Sequence, residues 1–127
     1  MSANSNITDL YERIRKELFY MIPEKWERIY LYASVVQREN NRETGEMFFY
    51  YFPKSLIKKN PVNVYQVPQR FNIDENEYIK IANRLYEMIK KLRKYCIKYE
   101  ENDWSNITII VRDTNFIVEY NDDKLRN

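Results

Sequence analysis

The fold is decided by two stretches, WERIYLYASVV at residues 26–36 and EMFFYYF at residues 46–52. The first alternates with a period of two, as a β-strand does when successive side chains point to opposite faces of a sheet. One face would carry Ile29, Leu31, Ala33 and Val35, and the other Arg28, Tyr30, Tyr32 and Ser34. The second stretch is large and apolar on both faces. The polar segment 37–44, closed by Gly45, predicts an exposed hairpin loop that joins the two strands.

Helical periodicity flanks this hairpin on both sides. Apolar residues three and four positions apart predict a helix from about Thr8 to Met21, with Asn6 as its N-cap and Pro23 beyond its end. A longer helix begins after Asp74, which has Glu77 three positions on, as in a capping box. Its apolar stripe runs for about seven turns. The stripe consists of Tyr78, Ile81, Ala82, Leu85, Met88, Ile89, Leu92, Tyr95, Cys96 and Tyr99.

The remaining strand signals complete an α+β pattern. Val62, Val64 and Gln66 predict a short strand before Pro68. Residues 107–112 and 116–120 predict a second hairpin that turns at 113–115. The order α-β-β-(β)-α-β-β predicts an antiparallel sheet of four to five strands with two packed helices. A chain of 127 residues, 44% of them hydrophobic, fits one domain over residues 1–127.

The composition argues against most catalytic sites. Histidine is absent, which removes the commonest general base and a frequent metal ligand. Cys96 is the only cysteine, and it lies on the apolar helix stripe, so we expect a packed thiol rather than a nucleophile. The remaining catalytic alternative is a carboxylate pair, Glu46 with Glu119, but exposed strand carboxylates are usually solvated. We therefore predict no enzyme, no catalytic or metal-binding residues, no cofactor and no small-molecule substrate.

The hydropathy of the chain and its first residues bear on a membrane partner. No apolar run approaches a membrane span and residues 1–6 lack a secretory signal, so we expect a cytoplasmic protein without a membrane partner.

The formal net charge is only +2. A nucleic-acid-binding or regulatory role remains as the alternative, because a basic run on the long helix interleaves with tyrosines. That run is Lys90, Lys91, Arg93, Lys94 and Lys98, and we interpret it as an ordinary solvated helix face, so direct nucleic-acid binding is not favoured.

Aromatic residues make up 16% of the chain, twelve of them tyrosines, and tyrosine suits half-buried sheets and protein interfaces. A sheet covered by one layer of helices leaves its other face open. We predict that this open face binds a partner protein through Arg28, Tyr30, Tyr32, Phe48 and Tyr50. The alternative is that the two helices cover both faces, which would make the same side chains core.

Two segments carry a family resemblance. The stretch IPEKWERIY at residues 22–30 and GEMFFYY at residues 45–51 resemble the helix-to-strand junction and the second strand of the YezG-like immunity proteins. The order of elements is similar over nearly the whole chain. The resemblance implies an antitoxin that binds and inhibits the toxic C-terminal domain of a bacterial polymorphic toxin. That cognate toxin is typically a nuclease exported by the type VII route.

The chain departs from that family in two respects. One group of family members is acidic, whereas this chain carries a net charge of +2, so a strongly negative surface that imitates nucleic acid is not expected. Relatives also usually continue past the position of Asn127, so we expect this chain to lack their C-terminal extension.

Overall fold

The computed structural model describes residues 3–55, 57 and 60–122, with the backbone alone for residues 3–6 and 41. Its elements, in chain order, are α1 (Ala3–Tyr20), β1 (Trp26–Ser34), β2 (Val36–Gln37), β3 (Glu43–Thr44), β4 (Met47–Pro53), β5 (Val62–Asn63), α2 (Val67–Phe71), α3 (Glu75–Tyr99), β6 (Asn106–Arg112) and β7 (Asn115–Asn121). Five strands form one antiparallel sheet in the order β5-β4-β1-β6-β7. The predicted α+β fold is confirmed.

Both long helices pack on the same face of this sheet. Ile14 and Leu18 of α1 lie in one buried cluster with Leu85, Ile89 and Leu92 of α3 and with the inward residues of the sheet. The helices also contact each other, because Arg84 of α3 pairs with Glu17 of α1 at 2.9 Å. The Tyr78 hydroxyl of α3 donates to the carbonyl oxygen of Met21, just beyond α1, at 2.7 Å. The molecule is therefore a two-layer structure of helices on a sheet.

The inward face of the sheet is closely packed. Its alternating residues are nearly inaccessible to solvent: Ile29, Leu31, Ala33, Phe49, Tyr51, Ile107 and Ile109. Burial of such side chains, at roughly 25 cal/mol per Å² of apolar surface, supplies most of the stabilisation of a domain of this size. The period-two prediction for β1 and the buried position of Cys96 are thus confirmed.

The ends of the long helices match the sequence unequally. Asp74 caps α3, since its carboxylate accepts from the Glu77 backbone N–H at 3.1 Å. The predicted cap at Asn6 is wrong, because α1 already begins at Ala3 and Asn6 lies inside it. Tyr99, predicted to lie on the buried stripe, is 50% exposed.

Two connecting segments are more ordered than predicted. The segment 37–44 is not a simple loop, because β2 and β3 pair across it and Asn40 adopts the left-handed conformation at the tip, with φ of 63°. The predicted third strand ends at Asn63, whose side chain accepts from the Tyr65 N–H at 2.9 Å and begins a 3₁₀ turn. Pro68 then lies in the first turn of α2, where its missing N–H costs nothing.

Candidate functional site

The face of the sheet opposite the helices is the candidate site, and we call it the open face. Among the residues that the structure describes, no helix lies over it. Its central side chains are only half-buried, unlike the inaccessible residues on the other side of the same strands. All five residues predicted to bind a partner lie on this face: Arg28, Tyr30, Tyr32, Phe48 and Tyr50.

Strand register brings the aromatic rings into contact. Tyr30 lies opposite Tyr50, and their rings stack with centroids 5.4 Å apart. Tyr32 lies opposite Phe48, with centroids 5.5 Å apart. Phe52 joins them at 6.0 Å from Tyr50. We call these five residues the aromatic patch. Cross-strand contacts of this kind stabilise a sheet, so the rings of the patch hold one another in place.

The open face extends beyond the aromatic patch onto β6 and β7. Ile110 lies opposite Tyr30, and Ile117 opposite Ile110, so one continuous apolar row crosses four strands. Sequence reasoning missed Ile110, Ile117 and Phe52 as parts of the site. The signal was present in the alternation of each strand, but the order of the strands was needed to place the residues side by side.

Charge is distributed unevenly over the open face. Arg28 lies opposite Arg112 at one end, with the Arg28 guanidinium carbon 4.1 Å from the centroid of the Phe52 ring. Glu119 lies on β7, opposite Thr108, which is four residues from Arg112 along β6. The apolar row lies between these charges. A face with a cationic end and an anionic corner would fix the orientation of a charged partner.

A groove of about 560 Å³ continues from the end of the aromatic patch. Tyr32 forms its boundary with the patch, and Ile97 of α3 contributes an apolar side chain that is 41% exposed. Polar groups of Ser34 and Asp103 complete part of the lining. The groove therefore enlarges the apolar surface next to the open face.

The basic run on α3 is not the continuous solvated face that was predicted. Arg93 is 3% exposed, and its Nε donates to the Trp104 carbonyl oxygen at 2.8 Å. Its other nitrogens reach the carboxylates of Asp103, at 2.7 Å, and Glu43, at 3.6 Å. Lys94 also lies 3.8 Å from Glu43. A fully basic helix face for nucleic acid is therefore not formed.

The carboxylate alternative also lacks geometric support. Glu46 and Glu119 are both exposed, and the strands β4 and β7 beside them are separated by β1 and β6. Three strand spacings of about 4.8 Å place the two side chains roughly 14 Å apart across the sheet. Within residues 3–55, 57 and 60–122, no group of three or more Cys, Asp or Glu side chains could hold a metal ion.

The hydropathy of the helices bears on whether one of them could span a membrane. No helix in the part of the chain that the structure describes has both the length and the apolar character needed to span a bilayer.

The fold defines a small two-layer α+β domain whose uncovered sheet face carries an aromatic patch. The family model described as "Immunity protein YezG-like" matches residues 7–127, and the chain belongs to that family.

Three relatives illustrate the similarity. The chain is 31% identical over 115 residues to the immunity protein YezG of Bacillus spizizenii, an alignment that covers 89% of this chain and 66% of the relative. It is 26% identical over 118 residues to the immunity protein YezG of Bacillus subtilis, with 92% and 74% covered. It is 24% identical over 107 residues to the type VII secretion system protein EsaG of Staphylococcus aureus, with 84% and 61% covered. The matched region is therefore between about three fifths and three quarters of each relative.

Proposed function

We propose that this chain is an immunity protein that binds a cognate toxin through the open face and keeps the toxin inactive. The finer identity that we propose for the partner is the nuclease domain of a polymorphic toxin exported by the type VII route. The protein acts as a stoichiometric inhibitor in the cytoplasm of the producing cell and not as an enzyme.

The uncovered aromatic patch is the observation that carries this proposal. Phe48 of the patch is 40% exposed, and Ile117 of the adjoining apolar row is 36% exposed, although the opposite face of the same sheet is closed to solvent. Contiguous apolar surface of this kind is a common mark of a protein interface. Aromatic and arginine side chains at the centre of such interfaces often contribute about 2 kcal/mol or more each to binding.

Family membership supplies the class of partner. Immunity proteins are defined by protection against a toxin, and one relative, EsaG, is named as a protein of the type VII secretion system. The small net charge of +2 supports recognition through shape and apolar contact over imitation of a polyanion.

Co-expression with the toxin domain encoded beside this gene tests the proposal. We expect the chain to restore growth of cells that express the toxin and to co-purify with it at a one-to-one ratio. A catalytically inactive toxin variant serves as the binding partner where the active toxin kills the host. Failure to rescue growth together with failure to co-purify would refute the immunity role for that pair.

A further inference from the structure

Arg28 and Arg112 lie directly opposite each other on β1 and β6, and both side chains project from the open face. Residues in register on neighbouring strands have Cβ atoms about 4.5–5.5 Å apart, and like charges in that position repel each other. Because this repulsion opposes folding, the two arginines suggest a role in binding. Arg112 was not among the residues predicted to bind a partner.

No carboxylate of the described residues offsets this repulsion. Neither Arg28 nor Arg112 has an acidic oxygen within 4.0 Å in residues 3–55, 57 and 60–122, although Glu27 and Asp113 are their neighbours in sequence. On the far side of Arg112, the residue in register is the neutral Asn115. Two arginine side chains thus leave the open face from neighbouring strands without a compensating anion in the described part of the chain.

The position of Arg28 is fixed by an aromatic ring. Its guanidinium carbon lies 4.1 Å from the centroid of Phe52, a member of the aromatic patch. A cation held over a ring keeps its outward N–H groups available while it loses less conformational entropy on binding. Arg112 is exposed and can turn toward the same point.

We propose that Arg28 and Arg112 form a clamp for a carboxylate of the bound toxin, at the end of the aromatic patch. This inference rests on the proposed function. The partner surface that fits is an apolar ridge with an Asp or Glu side chain beside it. The ridge would cover the apolar row, which consists of Tyr30, Tyr50, Ile110 and Ile117. The carboxylate would accept hydrogen bonds from both guanidinium groups.

A phosphate of a nucleic acid would satisfy the same guanidinium groups, but the surroundings favour a protein carboxylate. Tyr30 and Tyr50 already stack on each other, so those ring faces are less available to unpaired bases. Glu119 places a negative charge on the same face, where a phosphate chain would be repelled. The clamp is therefore a site for one acidic side chain within an apolar interface.

Arg112→Glu tests the clamp because it should lower the affinity for the toxin without lowering the stability of the fold. The new carboxylate would pair with Arg28 across the strands, so we expect the melting temperature to stay equal or rise. We expect the toxin dissociation constant to rise about ten-fold or more, measured by calorimetry or biolayer interferometry. The milder Arg112→Gln should weaken binding without the new ion pair. The matched control is Lys91→Glu, the same change of charge on the exposed side of α3.

The outcomes separate this inference from the proposed function. If the wild-type protein does not bind the toxin, both are overturned. If it binds and Arg112→Glu binds equally well, the clamp is overturned and the immunity role stands. If Arg112→Glu loses only binding to a single-stranded oligonucleotide, the clamp belongs to nucleic acid and the proposal is wrong. If Arg112→Glu regains affinity for a toxin in which an interfacial Asp or Glu is changed to Arg, the pairing is established directly.

Discussion

The hydroxyl of Tyr86 donates a hydrogen bond to the carbonyl oxygen of Ser34 at 2.7 Å, which ties α3 to the end of β1. The only glycine of the chain, Gly45, lies against both groups. A Cβ at position 45 would overlap the Ser34 carbonyl oxygen, which belongs to the backbone and cannot turn away. Glycine is required here by close approach, at the point where the chain enters β4.

Gly45→Ala should therefore destabilise the fold. We expect a loss of about 1–3 kcal/mol in the free energy of unfolding, as for other overpacked sites, measured by urea denaturation. Tyr86→Phe, which removes only the hydroxyl, should cost about 1 kcal/mol. Equal stability of Gly45→Ala and wild type would show that the contact relaxes without cost.

Arg93 gives a second stability prediction, because its guanidinium joins α3 to the loop before β6 and to β3. Arg93→Leu removes the donor to Trp104 and leaves the largely buried Glu43 carboxylate with the more distant Lys94 alone. We expect a loss of about 3 kcal/mol in the free energy of unfolding. Lys94→Leu is the matched control: it is 70% exposed and should change stability by less than about 0.5 kcal/mol. Similar losses in the two variants would contradict this account.

Alkaline pH should unfold the protein through its core tyrosines. Burial raises the pKa of Tyr78, and burial together with the hydrogen bond to Glu24 raises the pKa of Tyr51. Burial and the Tyr11 hydroxyl raise the pKa of Tyr120 in the same way. Since each folded-state pKa lies above the unfolded value near 10, the unfolded chain releases these protons first. This stabilisation is complete below about pH 10 and is lost as the pH rises above it.

The slope of stability against pH measures that effect. We expect the free energy of unfolding, from urea titrations at several pH values, to fall steeply above about pH 10. Tyr78→Phe should be less stable at neutral pH, because the hydrogen bond to Met21 is lost, yet show a shallower alkaline slope. An unchanged slope in this variant would mean that Tyr78 ionises equally easily in both states.

Sequence patterns were sufficient where a residue's environment depends on its own element. Alternation in β1 separated Ile29 and Leu31 from Tyr30 and Tyr32, and Asp74 marked the start of α3, because both signals act within a few residues. The N-terminus of α1 and the short helix α2 were not identified. Pro68 is compatible with either the end of a strand or the first turn of a helix, and only the surrounding contacts decide between them.

The candidate site needed information from distant parts of the chain. Arg112 is an ordinary strand residue in the sequence, and it becomes notable only because β6 pairs with β1 and places it opposite Arg28. In the sequence, Arg93 belongs to a basic run that predicts a solvated face. In the structure, β3 and the loop that precedes β6 enclose its side chain. Strand order and loop packing arise from long-range contacts that no local period encodes.

The aromatic patch can be separated from the core by a double variant, Tyr32→Ser with Tyr50→Ser. Both side chains are half-buried on the open face, so we expect the free energy of unfolding to fall by only about 1–2 kcal/mol, the sum of two cross-strand contacts. Toxin affinity should fall roughly 1000-fold, because two rings that contribute about 2 kcal/mol each lose about 4 kcal/mol of binding. Tyr20→Ser, at a tyrosine of α1 that is 70% exposed, controls for the loss of an exposed ring. A collapsed melting temperature in the double variant would instead make the patch part of the core, and unchanged affinity would place the toxin on another surface.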